Sequence, residues 1–234
     1  MLRQSIQGFE NVMEWEEPEN SVIMVEGPTG SLKSSFVFTA LMNYTKKTDT
    51  KALYITLEES KERHLLNLKA MGFEESKRVK VIDYDYSRKL ARITGEIEGE
   101  LKWIINSVRE YNKERGGISC LVIDSLNALY TLAGALKNRI EIYLFFDELR
   151  RMNTTTFIIG EVSEPNKRGI DGSLMGTELF LCDGLIDLGT VDVDNKVMRY
   201  VQIKKMRGVK HSLDKYSLDV EKARGVVALE ELIV

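Results

Sequence analysis

Short apolar runs alternate with longer amphipathic segments through most of the chain. The intervening segments are long enough for helices, and this alternation predicts βα units that build a mostly parallel sheet flanked by helices, an α/β fold. The runs that predict its strands are 22–25, 52–57, 79–82, 121–123 and 156–159.

Three of the intervening segments carry clear helix signals. One helix is expected to begin at about Lys33, directly after a glycine-rich turn. Another is expected from about Leu136 to Arg151. The longest stripe repeats an apolar residue every three or four positions, which is the spacing of one helix face. Its members are Ile93, Ile97, Leu101, Ile104, Val108 and Tyr111.

The pattern changes after residue 160. The apolar runs 185–188, 197–203 and 225–229 have no helical segment between them, so they predict an antiparallel extension of the sheet. A polar stretch from Ser163 to Met175 precedes them, and its proline and glycines predict a mobile surface loop.

The glycine-rich turn has the pattern of a phosphate-binding loop between a strand and a helix. Backbone N–H groups of such a turn point at phosphates, and the start of the helix adds positive potential. Lys33 is expected to reach the β- and γ-phosphates, and the Ser34 hydroxyl to coordinate Mg²⁺. The alternative is a glycine-rich turn that happens to contain a lysine. The predicted nucleotide-binding residues are Gly27, Pro28, Thr29, Gly30, Ser31, Leu32, Lys33, Ser34 and Ser35.

Leu32 departs from this pattern, which has glycine just before the lysine. If the position requires a positive φ, leucine would cost roughly 1–3 kcal/mol there. That is small beside the binding energy of a triphosphate, so nucleotide binding is expected to survive while placement of the γ-phosphate is impaired.

Carboxylates follow two of the predicted strands. Asp124 ends the run 121–123, at the edge of a parallel sheet where ligands bind, and is a candidate Mg²⁺ ligand. Glu58 and Glu59 end the run 52–57 and are candidates for activating or positioning an attacking water. The alternatives are a helix-capping aspartate and a solvated pair that opens the next helix.

Several segments together resemble the ATPase domain of KaiC and its RecA/RadA relatives. They are the turn at 27–34, Tyr54–Ser60, Val122–Ser125, the stretch Gly176–Ile186 and Lys205–His211, which is similar to the K-x-R-G-x-x-H segment of that family. The resemblance covers the chain from about residue 20 onward. It implies a RecA-like P-loop fold, here as one domain over residues 1–234, with ATP and Mg²⁺ as ligands.

The resemblance also implies roles for individual residues. Glu58 and Glu59 match glutamates that activate water for ATP hydrolysis. Another group matches residues that reach the nucleotide of the adjacent subunit in a ring, usually a hexamer; the alternative is a basic hairpin on the surface. That group is Lys205, Met206, Arg207, Val209 and His211.

Composition limits the function classes. The formal net charge of −3 argues against a broadly basic nucleic-acid surface. A single-stranded DNA-binding role would rest on Lys167 and Arg168 in the loop after the fifth run, with no aromatic residue there to stack a base. A nucleotide sensor with little hydrolysis is a further alternative, supported by Leu32 alone. An unidentified protein partner is also left open.

The remaining features concern location and isolated residues. No apolar run has the length of a membrane span and the chain does not open with a signal peptide, so a cytoplasmic protein without a membrane role is expected. Cys120 and Cys182 lie in apolar sequence and are expected to be small buried residues. His64 has no partner pattern and is interpreted as a surface or hydrogen-bonded histidine.

Overall fold

The computed structural model describes residues 1–84, 100–132, 139–162 and 178–233. The described residues form one nine-stranded sheet in the order β3-β2-β4-β5-β1-β6-β7-β8-β9. Its strands are β1 Val22–Gly27, β2 Ala52–Thr56, β3 Val79–Asp83, β4 Cys120–Asp124, β5 Thr155–Glu161, β6 Gly184–Val193, β7 Lys196–Met206, β8 Lys215–Glu221 and β9 Gly225–Leu232.

The sheet has a parallel half and an antiparallel half. All pairings among β1 to β6 are parallel, whereas β6 pairs antiparallel with β7, β7 with β8, and β8 with β9. Since parallel strands end at the same edge, the residues that follow β1, β2, β4 and β5 are brought together. The order confirms the predicted fold class, a mostly parallel sheet with an antiparallel extension.

Helices cover both faces of the parallel strands, which explains why those strands are apolar along their whole length. On one face Phe36 and Leu41 pack against Tyr54 and Val122, and on the other Ile104 and Phe146 form a separate core. The described helices are α1 Leu2–Ser5, α2 Phe9–Val12, α3 Lys33–Thr48, α4 Lys61–Ala70, α5 Glu100–Arg115, α6 Leu126–Leu132, α7 Arg139–Arg151 and α8 Glu178–Leu181.

Parts of the sequence prediction fall outside the described residues. These are the start of the long apolar stripe, the start of the helix expected from Leu136, and the polar loop from Ser163 to Met175 with Lys167 and Arg168. Both cysteines are buried and free, as expected. His64 is not on the surface, because only 2% of it is exposed.

Candidate functional site

The turn between β1 and α3 is packed tightly against the neighbouring strand. A Cβ atom at Gly27 would lie 1.9 Å from the carbonyl oxygen of Leu188 in β6, so only glycine fits there. The N–H of Ser31 donates to the Pro28 carbonyl at 3.3 Å and closes the turn. The Ser31 side chain is buried inside it.

Leu32 adopts the left-handed conformation that the sequence pattern normally assigns to glycine. Its φ and ψ angles are 72° and 20°, and its carbonyl accepts from the N–H of Phe36 at 2.8 Å. A left-handed leucine costs roughly 1–2 kcal/mol relative to the right-handed region. The sequence predicts backbone strain if this position requires a positive φ, and the structure shows that it does.

The first turn of α3 offers unpaired N–H groups to the space above the turn. Leu32 at the N-cap supplies no side-chain cap, and the first helical turn holds no acidic residue. Because the first N–H groups of a helix have no partner within it, this end attracts anions. The arrangement suits a phosphate group.

Lys33 lies over the turn, half-buried, with Nζ 2.8 Å from the carbonyl oxygen of Pro28. Burial lowers the pKa of its ammonium, and the carboxylates of Glu161, Asp124 and Glu58 oppose that shift. The ammonium therefore faces three acidic side chains from three different strand ends. The ammonium is placed to meet a polyphosphate that enters this turn.

A buried tyrosine links the two candidate metal ligands. The hydroxyl of Tyr54, in β2, donates to Oδ2 of Asp124 at 2.5 Å, and the side chain of Ser34 at the start of α3 lies beside the same hydroxyl. Burial raises the pKa of Tyr54 far above its usual value, and the Asp124 carboxylate adds to this, so the phenol keeps its proton. The contact with Asp124 was not predictable from the sequence, since Tyr54 lies within an apolar run.

The two adjacent glutamates have different surroundings. Glu58 is exposed, contacts the hydroxyl of Ser125 just after β4, and contributes to the field at Lys33. Glu59 turns away, with Oε1 2.7 Å from Nδ1 of His64 and Oε2 3.2 Å from the amide of Asn67 in α4.

Glu161 is a site residue that sequence reasoning missed. It ends β5, in register with Gly27, and its carboxylate accepts a hydrogen bond from Thr29. The side-chain amide of Asn127 holds its backbone, accepting from its N–H at 2.7 Å and donating to its carbonyl at 3.2 Å. The sequence does contain a signal for Glu161, because this acid ends a buried apolar strand as Asp124 does.

The late basic segment lies at the opposite edge of the sheet. Arg207 donates to Oδ1 of Asp183 at 3.0 Å, and Asp183 also accepts from the N–H of Val22, the first residue of β1. Burial would raise the pKa of Asp183, but hydrogen bonds from Val22, Arg150 and Arg207 together lower it below its usual value. The carboxylate therefore holds the guanidinium at the amino end of β1.

Neighbouring members of the late segment also contact their own chain. Lys205 Nζ donates to the carbonyls of Leu179 at 3.0 Å and Cys182 at 2.6 Å, around α8. Met206 and Val209 are buried, and His211 pairs with Met13 through an isolated β-bridge.

Strand β7 spans the distance between this segment and the turn. Arg199, near its start, donates to the Gly30 carbonyl at 3.3 Å, whereas its last residue, Met206, pairs with Gly184. At about 3.4 Å per residue, Arg199 and Met206 are roughly 24 Å apart. Arg207 is consequently far from the turn of its own chain.

No helix among the described residues has the length and apolar character needed to cross a membrane.

Known proteins resemble this chain in sequence. The sequence profile of the KaiC ATPase family matches residues 2–232. A UPF0273 protein of Aeropyrum pernix is 24% identical, over 100% of this chain and 95% of that protein. One of Thermotoga maritima is 25% identical, over 94% and 92%. A circadian clock oscillator protein KaiC of Nostoc is 24% identical over 94% of this chain but only 42% of its own length.

A solved structure has the same fold. The KaiC-like protein of Pyrococcus horikoshii superposes with a TM-score of 0.79, covering 97% of each chain at 23% sequence identity.

Proposed function

The chain belongs to the KaiC ATPase family, and from this premise we propose that it binds ATP with Mg²⁺ at the turn between β1 and α3 and hydrolyses the ATP. Residues 1–234 act as one catalytic domain in this proposal. The observation that carries it is the convergence of an uncapped helix start, one half-buried ammonium and oxygen ligands at a single edge of the sheet.

The residues present fit both ligands. The free N–H groups at the start of α3 and the Lys33 ammonium match the charge of a polyphosphate. The Ser34 hydroxyl and the Asp124 carboxylate are oxygen donors of the kind that Mg²⁺ takes, with phosphate oxygens and water completing its shell. When bound, Mg²⁺ would neutralise charge that develops on the phosphates.

Glu58 is the residue that we propose for activating water. Its exposed carboxylate follows β2 on the side of Lys33, where it can accept a proton from a water that attacks the γ-phosphate. The proton moves to the carboxylate as the bond to the ADP oxygen breaks, and ADP and phosphate are released. Glu59 instead contacts His64 and Asn67 of α4, and in this proposal it does not take part in proton transfer.

The late basic segment is proposed to act on the nucleotide of a neighbouring subunit. Arg207 lies too far from its own turn to reach that nucleotide, so a cation from this segment must come from another copy. A head-to-tail contact of this kind closes into a ring when the rotation allows, and we propose a hexamer. Lys205 and His211 would line the same wall, with Met206 and Val209 anchoring it.

We propose that this ATPase activity serves a regulatory or signalling role. The matching relatives include circadian clock oscillator proteins, of which this chain spans less than half. The left-handed Leu32 favours a second candidate, a sensor that binds ATP and turns it over slowly. Measuring affinity and phosphate release on one sample separates the two.

The test of the proposed function is a calorimetric titration of Mg·ATP. Wild type should bind, and Lys33→Ala should abolish binding because its ammonium is the main cation at the turn. Lys47→Ala, at the far end of α3, is the matched control and should bind as wild type. Binding by Lys33→Ala within a few-fold of wild type would refute the assignment.

A further inference from the structure

Tyr54 is a fully buried residue whose hydroxyl is placed between the two candidate metal ligands. Its ring lies in an apolar core where phenylalanine would pack equally well. A buried hydroxyl needs a hydrogen-bond partner, and here the partner belongs to the site. It is the carboxylate of Asp124, and the hydroxyl of Ser34 lies beside the same phenol.

The direction of the hydrogen bonds matters for metal binding. The Tyr54 hydroxyl donates a hydrogen bond to Oδ2 of Asp124, which fixes that carboxylate and leaves its other oxygen for a cation. The Tyr54 oxygen can still accept from a neighbouring hydroxyl, and Ser34 lies beside it. A serine that donates its proton in this direction keeps its oxygen lone pairs for a metal.

Two neighbouring rings restrict the ring of Tyr54. Its centroid lies 4.3 Å from that of His64, and the ring of Phe38 meets it edge-on at 5.7 Å. His64 is itself buried and held by Glu59. Since rings on two sides restrict the phenol, the hydroxyl cannot move away from Asp124 without disturbing the core.

We propose that Tyr54 is a positioning residue for the metal end of the site, fixing Ser34 and Asp124 in the arrangement that binds Mg²⁺ with the nucleotide. This inference rests on the proposed function. Groups that orient metal ligands through hydrogen bonds typically change metal affinity by about 10–100-fold when removed. In this proposal Tyr54 acts through the carboxylate that it holds and the serine beside it.

The test is Tyr54→Phe, which keeps the ring and removes one oxygen. Binding of ADP is measured by calorimetry in EDTA and over a Mg²⁺ series. The variant should bind metal-free ADP within about two-fold of wild type, while the Mg²⁺ concentration for half-maximal enhancement rises about 10–100-fold. A concentration within two-fold of wild type would overturn the inference.

Controls separate this outcome from a structural defect and from failure of the proposed function. Tyr44→Phe removes a phenolic hydroxyl from α3 near the opposite edge of the sheet and should leave the Mg²⁺ response unchanged. If wild type binds no ADP at all, the proposed function fails, which is a distinct result.

A second variant covers the case in which Tyr54→Phe does not fold, judged by circular dichroism. His64→Gln loosens the ring support and leaves Ser34, Tyr54 and Asp124 in place. It should raise the half-maximal Mg²⁺ concentration in the same direction, by a smaller factor. A wild-type response in this folded variant would contradict the role of Tyr54.

Discussion

Nδ1 of His64 lies 2.7 Å from Oε1 of Glu59, whereas the adjacent carboxylate of Glu58 contacts Ser125 after β4. The pair of glutamates that looks equivalent in sequence is therefore divided between two environments. Glu59 contacts two side chains of α4, whereas Glu58 contacts Ser125 and contributes to the electrostatic field at Lys33. This division makes the two residues separable by mutation.

Glu58→Gln and Glu59→Gln should differ in turnover. Glu58→Gln removes the proposed proton acceptor, so phosphate release should fall by a factor of about 100 or more. Glu59→Gln keeps an oxygen that can pair with His64 and should stay within a few-fold of wild type. Steady-state phosphate release at saturating Mg·ATP measures both, and equal losses would show that the two carboxylates act together.

Leu32→Gly should relieve backbone strain and raise turnover. Glycine takes the left-handed conformation freely, so the residue before Lys33 can settle around the γ-phosphate. Ala223→Gly is the matched control: it changes another left-handed residue, in the turn between β8 and β9. The control should leave phosphate release unchanged. Unchanged or lower turnover in Leu32→Gly would mean that the leucine fits this turn without loss.

Glu161→Gln should tighten ATP binding several-fold. Its carboxylate lies close enough to Lys33 to affect the field there, so it repels an incoming polyphosphate. Glutamine keeps an acceptor for Thr29 and therefore the local contact. Glu148→Gln removes the same charge from α7, on the other face of the sheet, and should bind ATP as wild type. Weaker ATP binding by Glu161→Gln in calorimetry would show that its charge assists the site.

The sheet was largely predictable because each buried strand leaves a continuous apolar run. Strand β8 was missed although Tyr216, Leu218 and Val220 alternate with polar residues, the pattern of a half-buried strand. Helices α1 and α2 have only four residues each, too few for a periodic signal.

The site was predictable only where chemistry follows a strand in sequence. Lys33 and Asp124 are at such positions. Tyr54 does not follow a strand. It becomes part of the site only because the fold brings Ser34 of α3 and Asp124 of β4 to its hydroxyl. The division of Glu58 from Glu59 depends likewise on His64, which lies one turn into α4.

The last prediction concerns which subunit supplies Arg207. Its guanidinium is held by Asp183 at the amino end of β1, while the turn follows the carboxyl end of the same strand. A cation acting on a triphosphate stabilises the charge of the transferred group, and a neighbour in a ring can supply it. Lys33→Ala and Arg207→Ala should each be inactive alone, since each damages every shared site.

Mixing the two variants should restore activity. In a ring assembled at random from equal amounts, about a quarter of interfaces would pair an intact turn with an intact Arg207, so phosphate release should return toward that fraction of wild type. A mixture of Lys33→Ala with the double variant Lys33→Ala/Arg207→Ala contains no intact turn and should stay inactive. Mixed rings are verified by native mass spectrometry. If verified mixed rings release no phosphate, Arg207 acts within its own chain or not on the nucleotide, and the shared site is refuted.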